Sequence, residues 1–224
     1  DKIVGVREAP TSEMVDTIDM KLSDVVKMIR GKPGTVVQLE VLPADGGEKK
    51  MIEITRAKIE LKDSEAQSAF FDVGHKPDGR PYRIGVVDLP SFYMDMERAR
   101  LGDPDYKSST KDVRRILEDF KKKNVDAVIV DLRRNGGGSL TEAVNVTGLF
   151  IDDGPIVQVK DGNGQIRPYN VQGEGAVWRG PLVVLTSKFS ASASEILAGA
   201  VQDYRRGLIV GDHSTHGKGT VQSL

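Results

Sequence analysis

Short apolar runs alternate with segments of helical periodicity through the second half of the chain, and this alternation restricts the fold more than any other property of the sequence. Ile84 to Leu89 is a compact apolar strand pattern, Val113, Ile116, Leu117 and Phe120 mark one face of a helix, and Val125 to Leu132 reads as a buried strand. Pro181 to Thr186 repeats the buried-strand pattern, Ala193 to Tyr204 reads as a helix, and Leu208 to Val210 as one more strand. Strands alternating with helices predict an α/β fold, a mostly parallel sheet covered on both faces. Ligands in such sheets sit beyond the carboxyl ends of the strands.

The first part of the chain follows a different pattern. Residues 1 to 62 read as a small β-rich unit: Ile3 to Val6 is apolar, and Leu22, Val25, Val26 and Ile29 fall at helical spacing. Gly31 and the Lys32-Pro33-Gly34 turn stop that helix. The runs Thr35 to Leu42 and Lys50 to Thr55, joined by Pro43-Ala44-Asp45-Gly46-Gly47, predict a hairpin. Residues 63 to 80 are polar and contain the Lys76-Pro77-Asp78-Gly79 turn. The predicted boundary therefore lies near Lys62, with domains at 1–62 and 63–224.

Composition removes several function classes. Lys plus Arg total 32 against 33 for Asp plus Glu, a net charge of -1, which provides no field to recruit nucleic acid or an anionic membrane. Lys121-Lys122-Lys123 closes a predicted helix, where cations complement the dipole. Cysteine is absent, so disulfides, thiolate metal sites and a cysteine nucleophile are excluded. No stretch approaches the roughly 20 apolar residues of a membrane helix. The chain begins at Asp1 without an initiator methionine or signal peptide, as expected of a processed or excerpted sequence.

Three loops carry candidate chemistry. Asp131-Leu132-Arg133-Arg134-Asn135-Gly136-Gly137-Gly138-Ser139 follows a buried strand, and its glycines leave backbone amides free to face an anion. Its spacing does not match the nucleotide-binding glycine motifs, and a plain strand-to-helix turn is the competing reading. Phe189-Ser190-Ala191-Ser192-Ala193-Ser194-Glu195 precedes a helix. Ser192 and Glu195 form an S-x-x-E capping box, so an ordinary cap hydroxyl competes with a nucleophile, but both readings put serine at a helix N-terminus that can stabilise an oxyanion. Spacing alone does not choose among Ser190, Ser192 and Ser194.

The third loop, Gly211 to Gln222, holds Asp212, His213, His216 and Lys218. A lysine base must be brought down by about 3 units, which requires burial, and Gly217 and Gly219 would let the backbone enclose the amine. Histidine is a rival base, and His213 with His216 raises a metal site, although no third ligand accompanies them in a zinc pattern. No metal or other cofactor is expected.

These residues resemble the carboxy-terminal processing, or tail-specific, proteases, a serine peptidase family of S41 type. The resemblance rests on Asp131 to Gly138, Ser190 to Glu195, Gln202-Asp203-Tyr204 and Gly217-Lys218-Gly219-Thr220-Val221-Gln222, with intervening strands such as Gly180 to Leu185. It implies a crotonase-like protease core, a mixed, mostly parallel sheet flanked by helices, preceded by a partial PDZ-like β-rich domain. It implies Ser192 as nucleophile, Lys218 as general base and Gln222 as the residue orienting the lysine. The oxyanion amides would be those of Gly138 and Ala193, with Asp203 as a support.

The implied activity is a serine endopeptidase with a Ser/Lys dyad, acting on proteins or peptides recognised through accessible C-termini in the bacterial periplasm. A non-catalytic peptide-binding scaffold of the same fold, or a Ser/His hydrolase using His216, are the alternatives. Neither nucleic acid nor an integral membrane segment is expected, and adaptor and oligomer remain open. The stretch between Ser192 and Lys218 is one residue longer than usual in the family, within Asp212 to His216. The PDZ carboxylate-binding loop would precede Asp1.

Overall fold

The structure, a computed structural model, describes residues 1–8, 12–57, 65–173 and 175–220. The chain separates into two compact units, Asp1–Leu61 and Lys62–Leu224. The expected boundary at Lys62 lies outside the described residues.

In the first unit, strands β1 (Lys2–Glu8), β2 (Val15–Asp16), β3 (Val36–Leu42) and β4 (Lys50–Thr55) form an antiparallel sheet in the order β2-β1-β3-β4. Helix α1 (Leu22–Ile29) turns Val25 onto Val6, Val37 and Leu39, which are buried together. The last carbonyls of α1 would lack partners within the helix. Arg56 supplies them, donating from Nε to Ile29 O at 2.7 Å and from Nη2 to Met28 O at 2.9 Å.

The second unit is built on a five-stranded sheet, β11-β10-β7-β6-β5, from β5 (Gln67–Val73), β6 (Tyr82–Asp88), β7 (Ala127–Asp131), β10 (Leu182–Thr186) and β11 (Leu208–Gly211). β6, β7, β10 and β11 pair in parallel, and β5 pairs antiparallel to β6, so the sheet is mixed and mostly parallel. β5 falls in the 63–80 segment read as polar, and the Lys76 to Gly79 turn is the tip of its hairpin with β6, closed by Gly79 N–H donating to Lys76 O at 2.9 Å. Strands β8 (Pro155–Lys160) and β9 (Ile166–Asn170) form a separate two-stranded ribbon.

Helices α2 (Met96–Arg100), α3 (Ser109–Lys122), α4 (Leu140–Thr147) and α5 (Ala193–Asp203) lie in the connections. From β6 through β7 and β10 to β11 each strand is added on the same side of its predecessor. Right-handed crossovers in a constant direction put α3, α4 and α5 on one face. This corrects the expected cover on both faces, and burial agrees. Val128, Val130, Leu182 and Val184 are buried, while the alternate Ile129, Val183 and Leu185 are only half-buried. Helix and sheet meet closely at Gly85, where a Cβ would lie 2.5 Å from the Phe120 ring. The β8–β9 ribbon forms a further layer over the helices through Val144, Ile151, Ile156 and Ala200.

Candidate active site

Three connections leave the carboxyl ends of β7, β10 and β11 and converge, with the segment after β6 beside them. After β7 the chain turns at Asn135 and runs through Gly136 to Gly138 into α4. Gly137 and Gly138 have φ of 110° and 145°, conformations open to glycine and costly for residues with a Cβ. Gly137 O accepts from Phe92 N at 3.0 Å, and Ser139 N donates to Phe92 O at 2.8 Å, so the loop is laced to the segment following β6. A Cβ on Gly137 would fall 2.8 Å from Ser192 Cβ and 2.9 Å from Ala191 O, which shows how tightly the glycine loop is pressed on the serine turn.

The serine turn separates its three hydroxyls by environment. Ser190 and Ser194 are fully buried, and their hydroxyls are committed: Ser190 Oγ donates to Leu132 O at 2.7 Å and Ser194 Oγ to Asn135 O at 2.8 Å. Ser192, half-buried, sits between them with φ 57° and ψ -114°. A non-glycine residue in that region is strained by about 1–3 kcal/mol, and such strain collects where a side chain must be aimed out of a tight strand-to-helix turn. The N–H groups of Ala193 and Gly138 find no acceptor among the described residues. For Ala193, at the first turn of α5, this is the ordinary condition of a helix start.

Glu195 reaches beyond its capping role. Its Oε2 accepts from Ser192 N at 2.7 Å, the return half of the capping box read in the sequence. The same carboxylate also accepts from Lys218 N at 3.0 Å through Oε2, and from Thr215 Oγ1 at 2.7 Å and Gly217 N at 2.5 Å through Oε1. One side chain thus fastens the start of the Gly217-Lys218 loop to the serine turn. Burial opposes ionisation of Glu195, and the four donors outweigh it, holding the carboxyl below its usual range. Sequence reasoning assigned Glu195 a local cap only; no local pattern reveals partners 20 to 23 residues away.

The other predicted residues are less closely gathered. Lys218 is exposed, whereas the sequence reading required its amine to be enclosed; the flanking glycines carry the backbone past Glu195 without folding over the side chain. His216 is also exposed, and it is its backbone N–H that joins the site, donating to Ser190 O at 3.1 Å. Asp203 is exposed at the last turn of α5, about 16 Å along the helix from Ser192 at 1.5 Å per residue. Gln222 lies outside the described residues. Among the described residues no group of three or more His, Cys, Asp or Glu side chains could hold a metal ion, and no helix is long and apolar enough to cross a membrane.

An α/β sheet whose strand ends present a strained serine at a helix N-terminus, with a glycine loop pressed on it, has the parts of a hydrolase that attacks through serine. Comparison with known proteins gives the family. Residues 83–224 match the model of peptidase family S41, and the chain belongs to that family. It is 43% identical over 222 residues to the tail-specific protease of Haemophilus influenzae, covering 99% of this chain and 29% of that protein. It is 32% identical over 209 residues to the chloroplastic carboxyl-terminal-processing peptidase 2 of Arabidopsis thaliana, covering 93% of this chain and 37% of that one. Among solved structures, the photosystem II D1 C-terminal processing protease superposes with a TM-score of 0.59 at 28% identity, over 99% of this chain and 53% of that chain. The chain therefore spans well under two thirds of the length of these relatives.

Proposed function

We propose that this chain carries the catalytic core of a serine endopeptidase that processes proteins at their C-terminal ends. The observation that carries the reading is the state of the serine turn: two hydroxyls are buried and spent on carbonyls, and Ser192 between them is strained and half-buried, with the glycine loop pressed on it at Gly137. Ser192 Oγ attacks the scissile carbonyl and gives its proton to neutral Lys218. The Gly138 and Ala193 amides hold the tetrahedral oxyanion, the leaving amine takes the proton, and water then releases the acyl group. Enclosure favours the neutral amine, so closure over Lys218 when substrate binds is part of the proposal. Gln222 orients Lys218, and Asp203, at the far end of α5 from Ser192, is a support outside the chemistry.

By the family resemblance read in the sequence, the substrates are proteins with accessible C-termini and the compartment is the bacterial periplasm. The four strands and one helix among the described residues of the first unit support the reading of a partial PDZ-like domain. Such modules hold a peptide as an added strand.

The test uses the full-length protein. A fluorophosphonate probe should attach to Ser192, and Ser192→Ala should abolish both labelling and peptidase activity, with Lys218→Ala close behind. Full proteolysis by Ser192→Ala overturns the nucleophile. Loss in His216→Ala with retention in Lys218→Ala transfers the base to histidine, and peptide binding without labelling makes the chain a scaffold.

A further inference from the structure

We propose that Asn135 is the positioning residue that sets both oxyanion amides in register with Ser192, an inference that rests on the nucleophile assigned above. Asn135 is fully buried, so its amide must be paired or pay the desolvation of an unsatisfied polar group. It is paired on both sides. Nδ2 donates to Leu89 O at 2.8 Å, at the end of β6, and Oδ1 accepts from Gly137 N at 2.8 Å, inside the glycine loop. Its main-chain O accepts from Ala191 N at 3.1 Å and from Ser194 Oγ at 2.8 Å, one residue to either side of the Ser192-Ala193 pair.

The consequence follows from peptide geometry. The Asn135 Oδ1 bond fixes the plane of the peptide that ends in Gly137 N. The next plane is fixed by Gly137 O, which accepts from Phe92 N at 3.0 Å. In a trans peptide the C=O and the following N–H point in opposite directions. With Gly137 O turned to Phe92, the Gly138 N–H is turned away from it. The main-chain O of the same asparagine holds the turn that presents Ala193 N–H. Asn135 therefore holds the loop one peptide ahead of the Gly138 amide through Oδ1, with Phe92 fixing the next plane, and holds the turn of the Ala193 amide through its main-chain O.

The chemistry of this position requires asparagine: a donor for Leu89 O and an acceptor for Gly137 N–H on one short side chain. Aspartate has the same shape but, when ionised, lacks the donor and puts a charge beside a carbonyl oxygen. Protonated aspartate restores an O–H for Leu89 O.

The experiment compares Asn135→Asp and Asn135→Ala with wild type in the full-length protein. It reads kcat, KM and the rate of Ser192 labelling per folded molecule against pH. The expected result is a loss of about 100-fold in kcat and in labelling for both variants, with KM changed by less than about threefold. The ratio of Asn135→Asp to wild type should rise as pH is lowered, and that of Asn135→Ala should stay flat. A role confined to folding would lower Tm and leave these per-molecule rates and the pH ratio unmoved, and that result overturns the proposal. Should both variants fail to fold, wild type with labelled asparagine decides. A slowly exchanging Asn135 side-chain amide, before and after the probe binds, is expected, and a rapidly exchanging one overturns the inference. Absence of labelling at Ser192 in wild type instead overturns the nucleophile itself.

Discussion

Replacing Glu195 with glutamine should loosen the Gly217-Lys218 loop while leaving the size of the side chain unchanged. The carboxylate accepts two donors on each oxygen: Thr215 Oγ1 and Gly217 N on Oε1, Ser192 N and Lys218 N on Oε2. Glutamine has a single acceptor oxygen. Its better orientation keeps Ser192 and Lys218 and turns the NH2 toward Thr215, whose hydroxyl can rotate to accept, and toward Gly217 N–H, which cannot. One charge-assisted bond is then lost outright and the rest are weakened by removal of the charge. At a partly exposed site this costs about 2 kcal/mol, near the lower end for bonds to charged groups.

If docking of this loop limits activity, about 2 kcal/mol corresponds to roughly a 30-fold fall in kcat/KM. Glu195→Ala, which removes all four bonds, should fall further. The assay is peptidase activity of the full-length protein together with hydrogen exchange at the Gly217 and Lys218 amides, which should lose protection in step with activity. The pH dependence has a definite sign. Because the folded carboxyl is held below its ordinary value of 4.5, the tie is complete at neutral pH and is lost only as pH falls through that depressed value. The wild-type protein should show this acid limb and Glu195→Gln should not. Unchanged activity with unchanged amide protection in Glu195→Gln would refute the clamp.

Gly137→Ala should lower kcat by about 100-fold or more with little change in folding of the remainder. Its Cβ would fall 2.8 Å from Ser192 Cβ on a backbone of φ 110°, so the loop must withdraw from the serine; steady-state kinetics check this. Glu142→Ala should cost about 3 kcal/mol, lowering Tm by roughly 6–12 °C in thermal unfolding, because one oxygen of this buried carboxylate accepts from Ser108, Ser109 and Thr110 at the start of α3. Arg205→Gly should raise Tm by about 2–4 °C. Arg205 has φ 51° just past α5, where its N–H donates to Gln202 O at 3.0 Å and Arg206 N–H to Val201 O at 2.9 Å, a helix stop that glycine makes without strain.

The parallel strands were legible because burial leaves them as short, nearly unbroken apolar runs, as in Ala127–Asp131 and Leu182–Thr186. β5 was not, since every residue of Gln67–Val73 is exposed and the edge strand carries no buried face to pattern it. α4 is short and rich in valine and threonine, which suit strands as well; the Ser139-x-x-Glu142 spacing was its available signal, and Ser139 does cap it. The ribbon between α4 and β10 announces itself only through the Asp161-Gly162-Asn163-Gly164 turn. Of the site, residue types and loop order could be read from the sequence. The fates of the three serines could not, because the carbonyls that take Ser190 and Ser194 lie 58 and 59 residues away.

The loop after β11 is held at separate points. Near its start, Asp212 Oδ2 accepts from Lys188 N at 2.9 Å; further on, Thr215, His216, Gly217 and Lys218 are all fastened to Glu195 or to Ser190 O. Only His213 and Ser214 hang between these moorings. Slack in the chain is confined to that span, like spare rope between two cleats, so a residue gained or lost there need not travel into the backbone at Gly217 and Lys218. A change of length in this stretch is thereby uncoupled from the serine turn. The same two positions are where a reporter peptide could be grafted within a few residues of the site while leaving its hydrogen-bonded frame in place.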